Sequence, residues 1–278
     1  MNILFTGARG FLGRELIPRL KNDGHAVWES TRTNLNPLNI DRLESFLKSV
    51  EIDLVIHAAT EGGSRTKLDD LRVLANNLGM FANLLSLKSL YGRMFTFSSG
   101  ADFSRENSIS SKSEEDIFSS FPVDFYGRSK NIIARTVSSQ ETNIYNFRLF
   151  GCFGPFEDDS RFIKRCLDVN LREIEIQEDI LMDYFYVGDL YRVLQHYMVS
   201  KEDLPFDLNL VYDEKLKLSE IAQIAFHTSQ RHLQVCNSGS SKNEYTGNGS
   251  LLSSLSIPLD GLRVGIQKMH KELNNDRP

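Results

Sequence analysis

The chain has 278 residues, 41% of them apolar and 25% charged, with seven prolines and a formal net charge of −5. That is the composition of a globular protein with room for one large domain, or for a large and a small one. The acidic balance argues against nucleic acid as the main partner, and no apolar run reaches the roughly 18 residues that cross a membrane, so neither is expected as a partner.

Ile3, Leu4 and Phe5 form a short apolar run of strand character. A chain that opens on a strand is expected to carry no cleaved signal peptide. Leu12, Leu16 and Leu20 then recur four residues apart, the spacing of one helix face. Between the two, Gly7, Gly10 and Gly13 mark a strand-to-helix junction in "TGARGFLG" (6–13). Without a Cβ, Gly7 and Gly10 permit a tight turn and close backbone approach, and Gly13 lets the helix pack on the strand. A helix start presents unpaired N–H groups and the positive end of the helix dipole, which suit a pyrophosphate. Arg9, Phe11 and Leu12, set among these glycines, join them as candidate cofactor contacts.

Farther on, "HAVWEST" (25–31) reads as a second strand and "DRLESFLKSV" (41–50) as a helix with Leu43, Phe46, Leu47 and Val50 on one face. "DLVIHAA" (53–59) is a buried strand, "LANNLGMFANLLSL" (74–87) a helix and "RMFTFSS" (93–99) another strand. The Ser-rich stretch 104–120 interrupts the pattern, as a solvated loop or as a lid. A helix around 126–139 and the strand "NIYNFRLF" (143–150) resume it. Such alternation implies an α/β fold with a doubly wound parallel sheet. Ligands on these sheets sit beyond the C-terminal strand ends, where the glycine turn, His57, Ala58, Ala59, Ser98, Ser99 and Gly151 to Pro155 converge.

After residue 150 the pattern loosens. "DDSRFIKRCLDVNL" (158–171) reads as a short helix, and "EIEIQ" (173–177) and "YFYVGDL" (184–190) as strand-like. "KLSEIAQIAF" (217–226) is helical, "CNSGSSKNEYTGNGS" (236–250) a polar loop, and a last helix fills 259–273. Cys152, Cys166 and Cys236 are odd in number and scattered, and neither they nor the six histidines show metal-ligand spacing. Three free thiols in a reducing cytoplasm, and no metal, are the expectation.

In "YGRSK" (126–130), Tyr126 and Lys130 lie one helical turn apart on the same face. An unperturbed phenol titrates near pH ~10. A neighbouring ammonium favours the phenolate and brings the phenol closer to the working range of a general acid or base.

Together these stretches resemble the extended short-chain dehydrogenase/reductases of the nucleotide-sugar epimerase, dehydratase and 4-ketoreductase group, over nearly the whole length. "TGARGFLG" is similar to that family's glycine turn, and "DLVIHAAT" to its buried strand. "NNLGMFANLL" resembles the helix that follows, and "FTFSSGADF" the strand bearing a catalytic Ser or Thr. "YGRSK" is the Tyr/Lys pair, and "FRLFGCFGP", "DYFYVGDL" and "EYTGNGSLLSSLSI" resemble later family segments. The resemblance implies a Rossmann-type domain over 1–155, with 183–212 packing back on it, and a smaller mixed substrate-binding region over 156–182 and 213–278. It implies Tyr126 as proton donor or acceptor, with Lys130 lowering its pKa and binding a ribose hydroxyl. Ser99, or else Ser98, would hydrogen-bond the substrate oxygen, with Gly100 beside it. Arg148 would be a structural arginine beneath the site, and Ala58 and Ala59 cofactor contacts.

Departures from the family pattern narrow the function. Where NAD-using members end the second strand with an Asp, this chain has Ser30-Thr31-Arg32. An acid there would repel a 2′-phosphate, whereas Arg32 can pair with it and Ser30 or Thr31 can donate to it, so NADP(H) is expected over NAD(H). Arg9 would add a second positive contact, and Asn36 stands where the family places an adenine-contacting Asp. Met182 replaces an arginine that often contacts the substrate diphosphate in relatives, so either that task falls to Arg161, Lys164, Arg165 or Arg263, or the substrate differs. Glu61, beside the expected site, resembles a residue of reductases that make dideoxy sugars. "SSGAD" lacks the acid pair of dehydratases at the usual place, and Cys152 is read as packing in the strand-end turn. The reading is an NADPH-dependent 4-ketoreductase of a nucleotide-diphosphate-linked (deoxy)hexose, acting as a monomer or homodimer. Its rivals are a nucleotide-sugar 4-epimerase and a catalytically silent dinucleotide-binding module.

Overall fold

A computed structural model describes the chain apart from residues 64–67, 140–142, 232–233, 238–239 and 276–278, and apart from the side chains of 234–237 and 240–242. In chain order it forms β1 (Asn2–Thr6), α1 (Phe11–Asn22), β2 (Ala26–Ser30), α2 (Ile40–Ser49), β3 (Ile52–His57), α3 (Leu71–Ser86), β4 (Tyr91–Ser99), β5 (Ile109–Lys112), α4 (Phe125–Ser138) and β6 (Ile144–Leu149). There follow β7 (Cys152–Phe153), α5 (Phe162–Leu167), β8 (Glu173–Ile176), β9 (Asp179–Met182), β10 (Phe185–Tyr186), α6 (Val187–Val199), β11 (Asp207–Leu210), α7 (Leu218–Thr228), β12 (Gln234–Asn237), β13 (Ser240–Gly247), α8 (Ser250–Ser254) and α9 (Gly261–Asn275).

Contacts divide the chain into two compact units: 1–106, 114–148 and 205–208 make one, and 107–113, 149–204 and 209–278 the other. Six strands form one Rossmann-like sheet in the order β11-β6-β4-β3-β1-β2. β1 pairs in parallel with β2 on one side and β3 on the other, and β3 with β4. The order reverses at β1, the switch point outside which open parallel sheets bind their ligands. Residues of β1, β3 and β4 such as Leu4, Phe5, Val55, Ile56, Met94 and Phe95 are fully buried. Their apolar runs are continuous because helices cover both faces of the sheet. Leu43 and Leu47 of α2 pack with Phe81 and Leu84 of α3 in the same core cluster. In the second unit, β5-β13-β9 make a three-stranded sheet, with β7 on β10 and β8 on β12 as separate pairs.

Three expectations are corrected. The polar stretch 236–250 is not a loop, because β12 and β13 run through it. Its backbone pairs with β8, β5 and β9, partners that local composition does not announce, and Thr246 is buried. "YFYVGDL" holds only the two-residue β10 before α6 begins. Val187, Leu190, Val193, Leu194 and Tyr197 carry a helical period beyond the point where the strand reading stops. The Ser-rich stretch contains β5 and a 3-10 turn over Glu114–Ser119, anchored by buried Ile109 and Ile117. Among the described residues, no helix is long and apolar enough to cross a membrane.

Helix α1 leaves the sheet through a tight contact. A Cβ on Gly13 would lie 2.2 Å from the Ala8 carbonyl oxygen. Gly13→Ala is therefore expected to destabilise the protein by about 1–3 kcal/mol, the usual cost of overpacking. Urea unfolding measures it; unchanged stability would mean that the turn yields freely.

Candidate active site

The glycine turn is built for close approach. Gly7 has φ +75°, and a Cβ there would lie 2.7 Å from the Ala59 nitrogen and 2.8 Å from the Ala58 carbonyl. Thr6 Oγ1 and His57 Nδ1 are 2.8 Å apart, and the Ala59 N–H donates to the same hydroxyl at 3.2 Å. The ends of β1 and β3 are thereby locked beside the turn. Helix α1 follows Gly10 as its N-cap, with no side-chain cap bond and no acid in its first turn. A cradle that a Cβ would fill, next to a bare helix start, fits a dinucleotide pyrophosphate.

At the end of β4, Ser98 donates to Asp102, while Ser99 Oγ accepts from the Ala101 N–H at 3.2 Å and keeps its own proton to give. Asp124 caps α4 by accepting from Gly127 at 2.7 Å, and Gly127 itself abuts the Ala101 carbonyl, where a Cβ would come within 2.5 Å. The first turn of α4 is thus pressed against the residues after Ser99. Lys130 is buried, donates to the Phe97 carbonyl at 2.8 Å, and holds its Nζ 5.7 Å from the centre of the Tyr126 ring. The backbone of Gly63 lies against that ring; a Cβ on it would meet Tyr126 Cζ at 2.9 Å. Asp69 fixes Gly63 by accepting from its N–H at 3.1 Å.

Beneath lies a buried ion cluster. Arg148 Nε donates to Asp102 at 2.8 Å and its Nη2 to Asp207 at 2.6 Å. Burial works against the guanidinium charge, but Asp207 and Asp102 outweigh it and raise its pKa. Asn131 of α4 donates to the Asp102 carbonyl at 2.9 Å, and Asn146 to Asp207 at 2.6 Å. Burial lowers the Lys130 pKa to about 8, against the opposing pull of Asp102. Burial and the Lys130 charge lower His57 to about 3, so its imidazole is neutral at physiological pH.

Toward β2, Arg32 Nη2 reaches Glu61 Oε1 at 2.9 Å, joining a residue expected at the cofactor to one expected at the substrate. Thr31 Oγ1 donates to Asn34 at 2.9 Å, and Ser30 is buried and donates to the Leu35 carbonyl. Asn36 Oδ1 accepts from the Leu38 N–H at 3.0 Å, and Arg9 is exposed. In the second unit, Arg161 lies 3.5 Å from Glu157 and donates to the Cys152 carbonyl, and Arg263 pairs with Glu214 at 2.7 Å. Lys164 donates to the Pro155 and Glu157 carbonyls. Met182 is buried, as are Cys152 and Cys166, neither of which is in a disulfide; the Cys236 side chain lies outside the described residues.

A family model described as the NAD dependent epimerase/dehydratase family matches residues 3–209. The chain belongs to that family. Its matched span holds the glycine turn, Ser99, Tyr126, Lys130 and the Arg148 cluster. Among curated proteins it is similar to a GDP-L-fucose synthase of Azorhizobium caulinodans, 32% identical over 85 residues, which is 30% of this chain and 27% of that protein. Among solved structures it is similar to a dTDP-4-dehydrorhamnose reductase from Bacillus anthracis in complex with NADP. That comparison gives a TM-score of 0.81 at 15% identity, covering 98% of both chains. A GDP-mannoheptose C4 reductase from Campylobacter jejuni with NADP bound also gives 0.81, at 18% identity, covering 99% of this chain and 98% of that one.

Sequence reasoning missed Asp102 and Asp207 as partners of Arg148, and Gly63 as the neighbour of Tyr126. The first two are joined only by folding across some fifty residues, with no local pattern to mark them. Gly62-Gly63 carried a legible signal, since paired glycines mark a backbone that something approaches closely.

The buried lysine sets a stability test. Its pKa is lowered from 10.5 to about 8 on folding. Its charge therefore opposes folding fully below pH 8, and progressively less as pH rises from 8 to 10.5. The stability of Lys130→Met relative to the parent is expected to fall by about 2 kcal/mol between pH 7 and pH 10. Parallel urea titrations measure this; a pH-independent difference would contradict the burial of a charged amine.

Proposed function

We propose that the protein catalyses the NADPH-dependent reduction of the 4-keto group of a nucleotide-diphosphate-linked hexose or deoxyhexose. The observation that carries the reading is the conjunction, in one compact unit, of Ser99, Tyr126 and Lys130 with the Gly7 cradle and with Arg32 in place of an acid after β2. Family membership supports the cofactor class. The NADP-bound reductases of similar fold support the substrate class and the choice of NADP(H).

In this reading Gly7, Gly10, Phe11, Leu12 and Gly13 hold the pyrophosphate, Ala58 and Ala59 line the cradle, and Arg32, with Arg9 and Thr31, takes the 2′-phosphate. When bound, the reduced nicotinamide supplies a hydride to the sugar carbonyl carbon. Tyr126 gives its phenolic proton to the carbonyl oxygen as charge develops there. Ser99 donates a hydrogen bond to the same oxygen, which lowers the cost of that charge. The Lys130 ammonium stabilises the phenolate left on Tyr126, and it also reaches a ribose hydroxyl. Asp102 engages Ser98 and so leaves Ser99 as the hydroxyl offered to substrate. Turnover is expected to fall as pH rises through about 8, where Lys130 loses its proton.

The test is incubation with NADPH and a panel of nucleotide 4-keto-sugars, followed by nicotinamide absorbance. Tyr126→Phe is expected to lower turnover by about 10²- to 10⁴-fold with cofactor binding retained. Arg32→Ala is expected to weaken NADPH by about ten- to a hundredfold, since a charge-assisted contact contributes about 1.5–3 kcal/mol, and to leave NADH unchanged. Near-normal turnover in Tyr126→Phe would place the proton donor elsewhere.

A further inference from the structure

The ion pair between Arg32 and Glu61 joins two loops that leave the sheet on either side of β1. Arg32 follows β2, Glu61 follows β3, and in the sheet order those strands flank β1 and its glycine turn. The two partners are not equally fixed. Glu61 keeps only about a quarter of its side-chain surface exposed, whereas Arg32 keeps 77%. The second Glu61 oxygen accepts from Asn76 Nδ2 at 2.9 Å. Its backbone is clamped at both ends by Asn77, which accepts from the Glu61 N–H at 2.8 Å and donates to its carbonyl at 3.0 Å. Asn77 is itself buried and donates to Ser129 on the helix that carries Tyr126. Glu61 is thus anchored by three hydrogen bonds within its own unit, and Arg32 is the more exposed partner of the pair.

We propose that Glu61 is a specificity-determining residue that sets the preference between NADPH and NADH by competing for Arg32. The proposal rests on the reading of Arg32 as the 2′-phosphate contact. A phosphate can engage Arg32 only by drawing the guanidinium off Glu61 or by sitting beside a second anion. Both weaken NADPH and leave NADH, which has no 2′-phosphate, without that penalty. Glu61 therefore moderates a preference that Arg32 alone would make steeper.

Glu61→Gln removes the charge and keeps an acceptor for Asn76. An exposed ion pair contributes only modestly, and a carboxylate near a phosphate dianion adds a repulsion of similar size. The substitution is expected to tighten NADPH by about three- to tenfold and to leave NADH within about twofold, read by fluorescence titration at fixed ionic strength. In an Arg32→Ala background the same substitution is expected to give a smaller gain, because the competed-for cation is gone and only the carboxylate–phosphate repulsion is relieved. Unchanged or weaker NADPH binding in Glu61→Gln, with the parent's preference intact and abolished by Arg32→Ala, would overturn the role of Glu61 alone. Equal affinity of the parent for both cofactors, unaffected by Arg32→Ala, would overturn the Arg32 reading and this proposal together. A thermal midpoint matching the parent shows that Glu61→Gln is folded; if it is not, Glu61→Ala repeats the comparison with the same expected gain.

Discussion

A buried arginine held between two buried carboxylates organises the first unit. Arg148, on β6, reaches Asp102 after β4 and Asp207 on β11, so the end of one half of the sheet is tied together by charge. Lys130 lies in the same interior and feels the Asp102 charge. Two cations then face two carboxylates, and the neutral His57 adds no further charge. Such a set is stable as a whole and costly to break. Removing one member of a buried pair costs about 3–5 kcal/mol, because the other charge is left without compensation. The candidate active site is built directly on this cluster. Asp102 accepts from Ser98, its carbonyl accepts from Asn131 of α4, and α4 in turn carries Tyr126 and Lys130.

The cluster also explains why Lys130 can serve as a local charge despite burial. In an apolar interior an amine would give up its proton well below neutral pH. Here burial lowers its pKa only to about 8, partly offset by Asp102, and the Phe97 carbonyl accepts one of its hydrogens. The lysine is therefore cationic at neutral pH, with its charge directed at the Tyr126 ring. The strand order brings the glycine turn of β1 next to the end of β3, and the Thr6–His57 contact fixes that juxtaposition. The glycine cradle and Tyr126 thus share one frame.

The fold and the placement of much of the candidate site are legible because their signals are local. Gly7, Gly10 and Gly13 announce a turn, apolar runs in β1 and β3 announce a covered sheet, and Tyr126 and Lys130 share a helix face by spacing alone. What escaped was non-local. The Arg148 partners lie after β4 and on β11, and the polar segment that becomes β13 gains its strand character from β5 and β9 rather than from its own composition. Helix α6 was missed for a different reason: the aromatic run at 184–186 has strand character, and the helical period emerges only after Val187. Among candidate site residues, Arg32 and Glu61 were each singled out from sequence, but their mutual pairing required the folded loops.

The most direct test follows the hydrogen itself. The protein would be incubated with NADPH carrying deuterium at nicotinamide C4 and with an accepted nucleotide 4-keto-sugar, and the product examined by NMR and mass spectrometry. Reduction on the Ser99, Tyr126 and Lys130 frame predicts one deuterium at C4 of the sugar, from one or the other face of the nicotinamide, and one NADP⁺ released per product. An altered sugar with no deuterium and no net NADP⁺ would contradict it.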